Sequence, residues 1–336
     1  MEGERLAAQA RATWEASLAE YERAERETGP PDYFAIEAAE YRSDWIATRS
    51  RSYRLFEGAT RIPPMRFTDE PAPPYAAYIT DALQVFSARV AAAAGLRWPL
   101  DVFGIVAVRD SVDYIRNVIF HRSRESCQTL TEEDPYLELT GPTRAVVLDY
   151  VVIKAALKAK GATESDDMDL SFLAVPVMRH SRHLDSYLRC GMDFSSKLST
   201  LQFKLAHIVY AVEATILVRV VGGSWRDGFR GLFAARTASI GSEEIVLLRS
   251  REEGVVVADD GSVRLSRCVA SVETEGELRV SVRASGGDTD SCAVEDELAF
   301  VGRESGRSYG TLDVGFCRMG VTVAWSLISR RDPADF

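Results

Sequence analysis

Two adjoining stretches, Leu201-Gln202-Phe203-Lys204-Leu205-Ala206-His207-Ile208-Val209 and Val212-Glu213-Ala214-Thr215-Ile216-Leu217-Val218-Arg219-Val220, decide the fold. In the first, Leu201, Phe203, Leu205, His207 and Val209 alternate with Gln202, Lys204 and Ala206; in the second, Val212, Ala214, Ile216, Val218 and Val220 alternate with Glu213, Thr215 and Arg219. A repeat of two is that of a strand with one face in a core and one in water. Working outward, Leu278, Val280, Val282 and Ala284 repeat the pattern, and so do Met319, Val321, Val323, Trp325 and Leu327. Val102 to Val108 is apolar on both faces, which predicts a central strand. Gly222-Gly223, Asp260-Gly261, Gly286-Gly287-Asp288 and Gly141-Pro142 supply turns. The expectation is a mainly β chain, an antiparallel β-sandwich or barrel-like domain over residues 77–330. Glu213 then faces solvent.

Upstream the period changes. Leu6, Ala10, Trp14, Leu18 and Tyr21 fall on one helical stripe within Glu4 to Glu27, and Gly29-Pro30-Pro31 stops it. Asp32 is placed to cap a second helix with Phe34, Ala38, Tyr41, Trp45 and Thr48 on one face. Residues 1–60 are therefore expected to form an α-helical hairpin. Pro63, Pro64, Pro71, Pro73 and Pro74 exclude both helix and central strand. Residues 61–76 read as an extended, Pro-rich linker.

Composition narrows the function classes. The 336 residues hold 50 acidic and 40 basic side chains, a net charge of −10, whereas a general nucleic-acid binder is expected to carry a basic excess. No apolar run reaches the ~18 to 20 residues of a membrane span, and the charged start Met1-Glu2-Gly3-Glu4-Arg5 leads into no apolar segment of a secretory signal. Five scattered cysteines, Cys127, Cys190, Cys268, Cys292 and Cys317, form no Cys-x-x-Cys, which predicts reduced thiols and a cytoplasmic location. The acidic surface and the aromatic hairpin favour a protein partner over nucleic acid.

Several strings resemble a known family. Ile62-Pro63-Pro64-Met65-Arg66-Phe67-Thr68, Trp98-Pro99-Leu100-Asp101-Val102-Phe103-Gly104, Cys127-Gln128-Thr129-Leu130-Thr131, Gly141-Pro142-Thr143-Arg144-Ala145-Val146-Val147, Val212 to Ile216 and Val321 to Leu327 are similar to a family of uncharacterised cereal-grass proteins, a domain of unknown function. The likeness runs from about Ile62 to Leu327. A similar domain forms the C-terminal part of a jasmonate-induced ribosome-inactivating protein, behind its catalytic N-glycosidase domain. The resemblance implies a plant, stress-linked setting. It does not imply the N-glycosidase activity, because the N-terminal region is too short to hold that toxin domain.

The candidate chemistry is sparse. Glu213-Ala214 has the start of a Glu-Ala-x-x-Arg pattern, but position 216 is Ile and the nearest arginine is Arg219. On a strand, at ~3.3 Å per residue, the two lie roughly 20 Å apart, and a solvent-facing strand glutamate is the simpler reading. His180 and His183 form a His-x-x-His near Asp185 and Cys190. No second pair matches them, so a solvated turn or short helix is preferred to a metal site. Glu164, Asp166, Asp167 and Asp169 cluster in one loop. Asp166, Asp167 and Asp169 are candidate Ca²⁺ ligands with no recognised spacing, set against a plain hydrophilic loop; Asp101, Asp110 and Asp113 are further carboxylates without a fixed place.

His121-Arg122-Ser123-Arg124-Glu125 is a short basic patch, and Cys127 lies near Arg124. His207 reads as a hydrogen-bonded core histidine, and Trp225 and Trp325 as anchors whose N–H needs an acceptor. No phosphate-binding loop, zinc-finger spacing or Gly-x-Ser-x-Gly occurs. No catalytic set and no cofactor are assigned. The expected function is that of a non-enzymatic interaction protein. The alternatives are an rRNA N-glycosidase or its accessory subunit, and a calcium-dependent surface binder.

Overall fold

The computed structural model describes residues 31–53, 55–179, 184–189, 191–250, 254–286 and 293–329. Strands dominate, and they lie in three main antiparallel sheets beside a two-stranded ribbon. None closes into a barrel among the described residues. The two alternating stretches are one strand, Ser199–Gly223, of 25 residues. It pairs with Thr80–Ala93 over its first half and with Cys317–Ser326 and Val269–Glu273 over its second. Ser305–Asp313 extends the sheet beyond Cys317–Ser326.

The long strand explains the layers. Ala206, Ile208, Val212, Ala214, Ile216 and Val218 pack with Phe233, Val280 and Val282 of a four-stranded sheet. Leu201, Phe203 and Leu205 point the other way, into a second core with Val106, Ile153, Leu173 and Val175 of a five-stranded sheet. The apolar phase changes along the sequence because the strand contributes to one core early and chiefly to the other late. Tyr210, exposed and at φ 47°, marks the handover, where the pairing with Thr80–Ala93 shifts register between Ile208 and Ala211. The strand predicted as central over Val102 to Val108 is Leu100–Arg109, held between Asn117–Arg122 and Tyr150–Ala159.

One helix is described, Tyr33–Tyr53. Asp32 caps it: Oδ1 accepts from the Ala35 N–H at 2.9 Å. Its Oδ2 accepts from the Lys197 N–H at 2.6 Å, tying the helix start to the sheets. Ala38 and Trp45 are buried, Ala38 packing on Val152 and Ala174 of the five-stranded sheet, and the Trp45 indole donates to the Tyr114 carbonyl at 3.0 Å. The first expected helix, within Glu4 to Glu27, lies outside the described residues.

The proline-rich segment is not a free spacer. Ile62, Phe67 and Ala76 are buried, the Phe67 N–H donates to Ser326 Oγ at 3.0 Å and the Met65 N–H to Glu213 Oε1 at 2.9 Å. The chain there is a strap laid across the long strand. This corrects the expectation for Glu213, which is only 5% exposed. Alternation assigns an off-phase residue to water, yet strap and loop cover this face.

Candidate functional site

Charges lie buried in two places. In the first, Arg144 donates to Asp110 at 2.7 Å and to Asp113 at 3.1 Å, with all three side chains nearly inaccessible. Burial works against the Arg144 charge, but the two carboxylates more than offset it and hold its pKa above the usual value. Asp110 also accepts from the Val147 N–H at 3.0 Å, and Asn117 donates to the Arg144 carbonyl at 2.8 Å. Glu213 adjoins this group through Ala145, whose N–H donates to Oε2 at 2.7 Å. Burial raises the Glu213 pKa, opposed by its two backbone donors and by Arg144. Each charge here faces an opposite one, two carboxylates on one guanidinium, and among the described residues the polar atoms are occupied but for Arg144 Nε, as a structural network requires.

The second place lies beneath the helix. Four cations surround the Phe56 ring: Arg109 and Lys154 at 4.2 Å from its centroid, Arg42 at 5.4 Å and Arg116 at 5.9 Å. Arg109 donates to the carbonyls of Tyr114 and Phe56, but its Nε has no partner among the described residues. Burial pushes its pKa down to about 10. Lys154 is 6% exposed; burial, then Arg109, Arg116 and Arg42, push its pKa down to about 7. Glu57 faces the group but sits at the surface, paired with Arg42 at 2.8 Å.

The molecule also carries an open cleft of about 880 Å³. One wall is the stretch from Gln128 to Leu139; the other comes from Arg236 and the strand Ile245–Arg249 of the four-stranded sheet. Arg267 bolts its floor: its guanidinium donates to the Val246, Val85 and Phe86 carbonyls, each at 2.8 Å. Burial without a carboxylate partner pushes its pKa down to about 9. Glu138 pairs with Arg122 at 2.9 Å, Glu243 with Lys204 at 3.0 Å, and Glu244 with Arg236. At the rim, Glu133 and Asp134 on one lip and Arg249 on the other are exposed and form no ion pair with a described residue. Tyr136 is half-exposed beneath the Arg89 guanidinium, 5.9 Å from its ring centroid. The lining contains no histidine and no cysteine. Such a cleft can hold a segment that carries both signs of charge.

The residues singled out from the sequence do not converge. Asp167 pairs with Arg124 at 2.9 Å, Asp166 accepts from Thr163, and Asp169 lies 3.4 Å from Lys158. Each carboxylate thus has its own donor, and no group of three or more metal-ligating side chains is found among the described residues. Asp101 accepts from Thr129, while Asp110 and Asp113 belong to the buried network. Asp185 is exposed, and His180, His183 and Cys190 lie outside the described residues. Cys127 Sγ lies 4.0 Å from the Lys160 ammonium, while the Arg124 guanidinium is engaged with Asp167.

His207 is the expected core histidine, with Nε2 2.8 Å from Asp81 Oδ2. Burial lowers its pKa and the Asp81 carboxylate opposes that. Trp225 and Trp325 donate to the Phe229 carbonyl and Ser308 Oγ. The sequence reading missed Lys154 and the cleft. Lys154 had a signal, a lone charge inside the apolar run Val151-Val152-Ile153-Lys154-Ala155-Ala156-Leu157.

Comparison with known proteins adds a family. A family model described as "Domain of unknown function (DUF6598)" matches residues 82–323. No curated protein matches the chain. Among solved structures, human GIVD cytosolic phospholipase A2 is similar at 11% identity and a TM-score of 0.23, over 75% of this chain and 31% of that one. The same enzyme in complex with methyl gamma-linolenyl fluorophosphonate gives 9% identity and a TM-score of 0.22, over 74% and 32%. The chain spans about a third of the length of these structures.

Proposed function

The chain belongs to the family described as a domain of unknown function (DUF6598), and from that premise we propose that it is a non-enzymatic recognition protein. Its layered β-sandwich presents the cleft between Gln128–Leu139 and Ile245–Arg249 to a segment of a protein partner. The observation that carries this reading is the rim, where Glu133 and Asp134 oppose Arg249 and none of them forms an ion pair with a described residue. Charges held apart across a cleft favour a partner of complementary pattern and speed its encounter. The plant, stress- or defence-related setting and the cytoplasmic location belong to the same proposal and rest on the sequence resemblance and the cysteine usage.

The N-glycosidase alternative has less support. Glu213 lies on a strand with both carboxylate oxygens taken by backbone N–H groups, so it is not poised toward a substrate. Incubation with intact ribosomes is expected to release no adenine, and release above a buffer control contradicts the proposal. For the cleft, Arg249→Glu combined with Glu133→Lys is expected to weaken partner capture by about tenfold or more, that is ~1.4 kcal/mol. Capture equal to that of the unaltered chain rejects the cleft as the recognition surface.

A further inference from the structure

The cations around Phe56 carry an inference that does not depend on the cleft. Lys154 sits mid-strand in Tyr150–Ala159, on the sheet face that the helix Tyr33–Tyr53 covers. Its ammonium nitrogen makes no hydrogen bond or ion pair with a described residue and touches aromatic rings instead, Phe56 at 4.2 Å and Phe172 at 5.9 Å. Arg109 comes from the neighbouring strand Leu100–Arg109 with an orphaned Nε, Arg116 from the loop beyond it, and Arg42 from the helix. Tyr41 of the helix also faces Arg109. Glu57, the carboxylate beside them, is engaged with Arg42 at the surface.

An amine in this setting favours its neutral form, because an ammonium there is both desolvated and repelled. Titration near neutral pH leaves a large share of the amine unprotonated at pH 7.5. A neutral amine is a nucleophile, and what the setting lacks is one buried negative charge. A reagent that reaches it must be small and uncharged, must react with a neutral amine and must leave an anion behind. Carbon dioxide meets each condition.

We propose that Lys154 is a carbon dioxide-binding site, where the ε-amine forms a carbamate in the field of the Arg109 and Arg116 guanidinium groups. The nitrogen lone pair forms the new N–C bond, one C=O π pair moves onto oxygen, and the N–H proton leaves to water or buffer. Nothing is oxidised or reduced. The carbamate supplies the missing counter-charge and gives Arg109 Nε an acceptor. Cover by the helix slows the acid-driven return to CO₂. Occupancy rises as pH climbs through about 7, because the neutral amine is the reacting form.

The test uses the full chain equilibrated with ¹³C-bicarbonate and CO₂ at pH 7.5, read by ¹³C NMR. The expected result is a carbamate carbonyl resonance that is absent from Lys154→Met and falls several-fold when the pH is lowered to 6. Alkylative trapping followed by peptide mass spectrometry places the adduct on the peptide containing Lys154, an assignment that stands even if Lys154→Met does not fold. A resonance that persists in folded Lys154→Met overturns the proposal, as does a trapped digest in which the Lys154 peptide carries no added mass.

Discussion

The two buried charge groups use similar residues to opposite effect. Around Arg144, two carboxylates meet one guanidinium, and backbone and Asn117 groups add further bonds, with Arg144 Nε alone of its guanidinium nitrogens lacking a partner among the described residues. Around Phe56, four cations gather with one surface carboxylate; among the described residues Arg109 Nε has no partner, and the Lys154 amine meets aromatic rings in place of a counter-charge. Paired charge stabilises its state and becomes scaffold. Unpaired charge in the same low-dielectric setting shifts its protonation equilibrium instead. The first group fastens loop to strand, and the second keeps a reactive amine under a helix.

Breaking the Arg144 group has the largest expected effect. Arg144→Met leaves Asp110 and Asp113 buried without a counter-charge and is expected to cost about 3–5 kcal/mol in urea unfolding. A loss under about 1 kcal/mol removes the contrast between the groups. The unbalanced group predicts the opposite sign. Lys154→Met replaces a penalised amine with an apolar chain of similar length, and a gain of about 1–4 kcal/mol is expected at pH 6. The pKa falls on folding from 10.5 to about 7, so the unfolded chain binds more protons between those values. The stability of the unaltered protein therefore rises with pH across that window, and the advantage of Lys154→Met shrinks as it does. A pH-independent difference contradicts this.

Glu213 sharpens the comparison from a middle position. It is satisfied by two backbone donors, yet burial raises its pKa above 4.5. The folded state thus holds its proton more tightly, and stability falls as pH rises from the ordinary value through the raised one. Glu213→Gln removes that slope but sets an amide NH₂ against one backbone N–H, for a net loss of about 1–3 kcal/mol at pH 7. The smallest effect belongs to Asp169→Asn, where an exposed ion pair with Lys158 is removed. The unfolding midpoint is expected to stay within error, as it is for most such pairs.

How far the sequence was legible follows from where the covering groups originate. Strand alternation, the cap at Asp32, the buried face of Ala38 and Trp45, and the core role of His207 all arise from neighbours in sequence or from one face of one element. Glu213 was misread because its cover is remote: Met65 lies 148 residues away and Ala145 68. No period within one strand reports a strap from elsewhere. The single 25-residue strand read as two because its apolar phase changes when it passes from one core to the other. The cleft was invisible for a similar reason, since its walls meet only once the sheets are stacked. Lys154 differs: a lysine inside an apolar strand run is a buried charge by elementary hydrophobicity, and its arginine neighbours needed the fold.

The contrast between paired and unpaired buried charge is tested most directly by titrating the Lys154 amine itself. Proteins carrying ¹³C-labelled lysine Cε, with and without Lys154→Met to assign the resonance, are followed from pH 5 to 11. The account predicts one Cε resonance that titrates near pH 7 and vanishes in the variant. A Lys154 resonance titrating with the exposed lysines near 10.5 contradicts it.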